Sequence, residues 1–178
     1  MKKSLYLITN TLYLRKGFTL IELLLVVVII GILAAAIFVA LDPGRRLGET
    51  RDGARASDVT ALLDGTKLHQ FDNGGAYHAN VAAQTAGTAY MVVNGVPGVG
   101  CPALACAEKA IAAGNCKDYS FLVVDGYLGD IPVAPQASGG PAYTAAEAGY
   151  YSIRNTNGTL EVGACDVEEG SSTIRAVR

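Results

Sequence analysis

The chain has 178 residues and a formal net charge of −2, with 51% hydrophobic and only 17% charged residues. That composition excludes a disordered chain and a nucleic-acid binder driven by bulk charge. The length suits one ordinary domain, or a small domain with an anchor. Charge is unevenly placed. The first 17 residues hold Lys2, Lys3, Arg15 and Lys16 and no acid, whereas the remaining 161 hold 10 bases and 16 acids, a net −6. Without its first segment the protein is acidic, and its surface repels phosphate backbones overall.

From Phe18 to Leu41 the chain is almost wholly apolar, 24 residues with Glu22 as the single charge. This is long enough to cross a membrane. It exceeds the apolar region of an ordinary secretory signal, about 7–15 residues, although Ala34–Ala36 imitates a signal cleavage site. A carboxylate inside a membrane helix costs roughly 2.5–3.5 kcal/mol at the centre and less near an interface. Residues 18–41 contain no basic side chain to offset it. A cut after Gly17 would create a cation, the α-amino group of Phe18, whose ordinary pKa is about 8.

The run Arg15-Lys16-Gly17-Phe18-Thr19-Leu20-Ile21-Glu22-Leu23 resembles the class III signal of type IV pilins and type II secretion pseudopilins. The resemblance implies a prepilin peptidase that cuts between Gly17 and Phe18 and methylates the new Phe18 amine. It also implies that Glu22 neutralises the Phe18 amine of a neighbouring subunit during filament assembly. The 17-residue leader is longer than those common in the family, and Val39 stands where many members carry a proline, with Pro43 four residues on.

Residues 44–73 carry apolar positions at roughly helical spacing (Leu47, Ala54, Val59, Leu62, Leu63, Phe71), and Asn73-Gly74-Gly75 is a helix stop. One helix is therefore expected from about residue 19 to 72, membrane-embedded in its first half and amphipathic in its second. Arg45 with Glu49 and Asp52 with Arg55 are expected as weak surface pairs. The bases Arg45, Arg46, Arg51 and Arg55 read as a solvated helix face with acidic partners, the other reading being contact with anionic head groups or DNA. His69 is expected on the helix surface and His78 in a loop.

Further on, a strand at Tyr90–Val93, a short helix around Leu104–Ala113, a strand at Tyr119–Asp125 and an ordered loop at Gly126–Gly140 follow. A hairpin joins Tyr150–Asn155 to Thr159–Cys165 through Thr156-Asn157-Gly158. The fold class is α+β, a pilin-like long N-terminal helix packed on a small antiparallel sheet. The expected segments are a leader (1–17), a transmembrane and filament-core helix (18–41), its amphipathic continuation (42–73) and a globular head (74–178). The stretch Tyr127–Pro135 and the Gly149-Tyr150-Tyr151 hairpin resemble the sheet of small pilins and major pseudopilins.

Cys101, Cys106, Cys116 and Cys165 all fall in the head. Four cysteines in an exported domain predict disulfides. Cys101–Cys106 with Cys116–Cys165 is the favoured pairing of the three possible, and a zinc site is the rival. Asp125 and Asp130 flank a glycine-rich loop and are calcium candidates without an EF-hand spacing. No nucleophile elbow, phosphate loop or metalloprotease motif appears, so no enzyme, cofactor or small-molecule substrate is expected.

The resemblance implies a structural subunit of a type IV pilus for adhesion, motility or DNA uptake. A type II secretion pseudopilin is the alternative, and a non-polymerising anchored binding domain a further one. Its partners would be other copies of the chain, the prepilin peptidase and the assembly machinery. It would sit in the bacterial cytoplasmic membrane before assembly, and in an extracellular pilus or periplasmic pseudopilus afterwards.

Overall fold

The computed structural model describes residues 17–95, 106, 108–168 and 173–178. Two units divide between Asp42 and Pro43. In the first, α1 (Leu20–Leu41) is a 22-residue helix with no buried residue. At 1.5 Å per residue it is about 33 Å long, matched to a hydrocarbon core of about 30 Å. It runs unbroken through Gly31 and Val39.

The helical stretch expected over 19–72 is present with one interruption. Asp42 adopts a left-handed backbone, φ 39°, and α2 (Pro43–Asp72) then begins. The cause is local: proline disfavours the α conformation in the residue before it. Its missing N–H is harmless in the first turn of the new helix.

The second unit packs α2 on a five-stranded sheet. After α2 come α3 (Ala79–Ala82), β1 (Ala89–Val93), β2 (Cys116–Asp118), α4 (Phe121–Val124), β3 (Tyr150–Arg154), β4 (Leu160–Ala164) and β5 (Arg175–Val177). The strand order is β2-β1-β3-β4-β5. α2 lies against β4, β5 and α4. Its buried residues include Gly48, Asp52, Arg55, Val59, Leu62, Leu63, Thr66 and His69, an i, i+3/i+4 stripe. Val59, Leu62 and Leu63 join Met91, Val92, Tyr150, Leu160 and Val162 in the core.

The hairpin is where the sequence places it, with Tyr151 opposite Gly163 and Ser152 opposite Val162. Gly163 has a packing reason. A Cβ there would lie 2.4 Å from the Tyr151 ring. At the turn, Gly158 takes φ +83° and the Asn157 side chain accepts from the Thr159 amide at 3.1 Å.

Several expectations are corrected. The sheet is mixed rather than antiparallel, because β2 runs parallel to β1; the chain between them is long enough for a crossover, which a tight hairpin is not. The strand expected at Tyr119–Asp125 is the single helical turn α4. The Asp118 carboxylate accepts from the Ser120 amide and hydroxyl, both at 2.8 Å, and ends β2 there. Phe121 and Leu122 are then buried while Val124 is exposed, which is not the alternation of a strand. The helix expected around 104–113 falls partly outside the described residues, and residues 108–113 are not helical. The short elements α3 and β5 have no periodicity long enough to read.

Candidate functional site

The first site is the start of α1. Gly17 and Phe18 are exposed, and Phe18 is 86% accessible. Thr19 caps the helix and forms a capping box with Glu22. The Thr19 amide and hydroxyl each donate to Glu22 Oε2 at 2.8 Å, and the Glu22 amide donates to Thr19 Oγ1 at 3.3 Å. No cation pairs with Glu22 among the described residues. The carboxylate is thus oriented by hydrogen bonds, with its charge uncompensated among the described residues. The signal for Thr19 lies in the sequence itself, since Thr19-Leu20-Ile21-Glu22 has capping-box spacing.

The second site is a charge cluster on the head. Arg55 is fully buried. It donates to Asp52 Oδ1 at 2.6 Å, to the Pro135 carbonyl at 2.8 Å and to Glu168 Oε1 at 3.1 Å. Arg51 grips the same Glu168 carboxylate through Nε at 2.7 Å and through Nη2. The Glu168 amide donates back to Asp52 Oδ1 at 3.1 Å. Hydrogen bonds from Arg51, joined by those from Arg55 and both positive charges, outweigh desolvation and hold the Glu168 carboxyl down at about 2. Nearby, Tyr150 donates to Asp58 and Tyr143 to Asp166, both at 2.5 Å. Burial first, then those carboxylates, push both phenols well above their ordinary range.

This changes the reading of the four arginines. Arg45 and Arg46 are exposed beside Glu49. Arg51 and Arg55 instead fasten α2 to the segment after β4, so Asp52–Arg55 is a buried pair and not a surface one. A groove of about 640 Å³ beside the cluster is lined by Leu47, Arg51, Gly139, Asp166 and Glu168 among others. Its charged walls are already bonded to one another or to Tyr143.

The cysteine pairing is corrected. Cys106 bonds to Cys165 across 59 residues of chain, with Cα atoms 4.4 Å apart. Both are buried, and Cys116 is also disulfide-bonded. Cys101 lies outside the described residues. The favoured Cys101–Cys106 and Cys116–Cys165 bridges are therefore both excluded, because each needs a sulfur already taken. The bridge ties residue 106 to the end of β4, a contact set by tertiary folding and invisible to sequence spacing. It also removes Cys106 and Cys165 as zinc ligands. Asp125 lies 3.5 Å from His69 Nε2, while Asp130 Oδ1 accepts from Asn94 at 3.0 Å and from the Ile131 amide at 2.8 Å. Among the described residues no three or more His, Cys, Asp or Glu side chains gather as a metal site.

His69 is buried rather than on the surface. Its ring meets those of Phe121 at 5.0 Å, His78 at 5.4 Å and Tyr127 at 5.6 Å. The stripe that buries Leu62 and Thr66 carries it inward.

Residues 13–38 match the family model described as the prokaryotic N-terminal methylation motif, the signature of type IV pilins and pseudopilins. No curated protein and no solved structure matches the chain. Motif and exposed apolar helix together fit membrane insertion before assembly. They point to a structural protein of the pilin or pseudopilin kind, processed by a prepilin peptidase.

Proposed function

We propose that the chain is a type IV pilus subunit, cleaved between Gly17 and Phe18, methylated on the Phe18 amine and assembled through α1 into a surface filament. The observation that carries this is the conjunction of the methylation motif at residues 13–38 with a helix that buries none of its apolar side chains in its own chain. Such a helix is stable in lipid, or against copies of itself, and in neither case does water meet its side chains. In a filament core an unpaired Glu22 is costly and a partner amine offsets it, so only the register that pairs the two is favoured. Thr19 holds the carboxylate ready for that amine.

The test is Glu22→Ala. Processing is expected to proceed normally while sheared filament yield collapses. Normal yield from that variant would contradict the assignment of Glu22 to assembly. A head with a buried charge cluster and a disulfide suits an extracellular subunit, which must withstand shear. The pseudopilin reading would gain if filaments never left the envelope.

A further inference from the structure

His69 and His78 come from opposite ends of a nine-residue step in sequence and meet on one aromatic cluster. His78 stacks flat on Phe121, ring centroids 4.0 Å apart and planes within 4°. Its Nδ1 accepts from the Asn80 amide at 3.3 Å, which makes His78 the N-cap of α3. Asn80 in turn donates from its side chain to the Asp118 carbonyl at 2.9 Å, fastening α3 to β2, the edge strand that carries Cys116. His69 Nδ1 is buried with no partner, while its Nε2 faces Asp125 at 3.5 Å and the Asn73 side chain at 3.4 Å.

We propose that His78 is a proton-sensitive latch: neutral, it caps α3 and holds β2, and protonated it releases both. The cap works only when Nδ1 offers a lone pair, because protonation places an N–H against the Asn80 N–H. The added charge would also sit beside Phe121 and 5.4 Å from the His69 ring. Charged and titratable groups face the pair from three elements. From β2 comes Asp118, from the C-cap of α4 Asp125, and from the turn after it the Tyr127 hydroxyl, which donates to Asp72 of α2. Lys67 of α2 is turned to Tyr77 and Gln70. Asp125 and Asp118 favour a proton on His78, but desolvation and then His69 outweigh them and lower its affinity. The folded head therefore prefers His78 neutral. Stability from this group is full above about pH 6.5, the ordinary histidine value, and falls as pH drops below it.

The test is amide hydrogen exchange on the full chain in detergent micelles at pH 7.5 and 5.0, corrected for intrinsic exchange, with imidazole titration followed by NMR. In the wild type, opening of residues 81–84 and 116–118 is expected to rise severalfold at pH 5.0, bounded at about 30-fold for an open-state pKa of about 6.5. The β3–β4 hairpin should be unchanged. His78→Asn keeps a capping oxygen without a titrating group, and should abolish the rise. Flat exchange in the wild type, an undiminished rise in His78→Asn, or a His78 midpoint above 6.5 would each overturn the latch. The wild-type titration decides the matter even if the variant folds poorly.

Discussion

α1 and α2 are consecutive in sequence and opposite in what they hide. α1 exposes every side chain, including Leu20, Leu25 and Val39, and its one acid has no cationic partner among the described residues. α2 buries not only Val59, Leu62 and Leu63 but also Asp52 and Arg55, and its charges are matched within the head. The contrast teaches that one helix has completed its folding and the other has not. Burial inside the chain stabilises α2, whereas α1 awaits lipid or other copies of itself.

That contrast can be broken most severely at Arg55. Arg55→Met leaves Asp52 and Glu168 with one fewer buried partner, and the head is expected to lose about 3–5 kcal/mol, read by denaturant unfolding. A loss under about 1 kcal/mol would mean the cluster is dispensable. Next comes a paired comparison. Leu62→Ala should cost the head about 2–5 kcal/mol. Leu25→Ala in α1 should leave head unfolding unchanged and lower filament yield instead. Equal effects on head stability would erase the distinction between the two helices.

The sequence made α1 legible as an apolar spanning helix, because a run from Phe18 to Leu41 with one charge has few interpretations, but not the break at Asp42 that separates it from α2. The hairpin was legible too, since Asn157-Gly158 supplies the turn and the flanking runs supply the strands. The charge cluster was not. Asp52 and Arg55 look like a surface pair until Glu168, more than 110 residues away, is brought to them. The Cys106–Cys165 bridge and the burial of His69 are hidden for the same reason, both depending on long-range packing. The turn α4 failed differently. Phe121–Val124 is apolar and β-branched in part, and four residues are too few to separate a strand from one helical turn.

Acid should sharpen the comparison further. Glu168 has its folded-state pKa lowered to about 2 from the ordinary 4.5. Its contribution is therefore fully present above about pH 4.5 and is lost as pH falls towards 2. Head stability measured across that window should fall in the wild type and fall less in Glu168→Gln, which starts lower. Parallel curves would remove Glu168 from the acid response. The smallest effect is expected at the helix start. Thr19→Ala should weaken the first turn of α1 by about 0.5–2 kcal/mol, seen as faster amide exchange at residues 20–23, with the head untouched.

Cleavage after Gly17 and assembly through α1 are tested most directly by mass spectrometry of the N-terminal peptide from sheared surface filaments and from membranes. A peptide beginning at N-methylated Phe18 is expected in the sheared fraction. A peptide that still carries Met1 and the leader in both fractions would contradict it, leaving α1 as an anchor that never assembles.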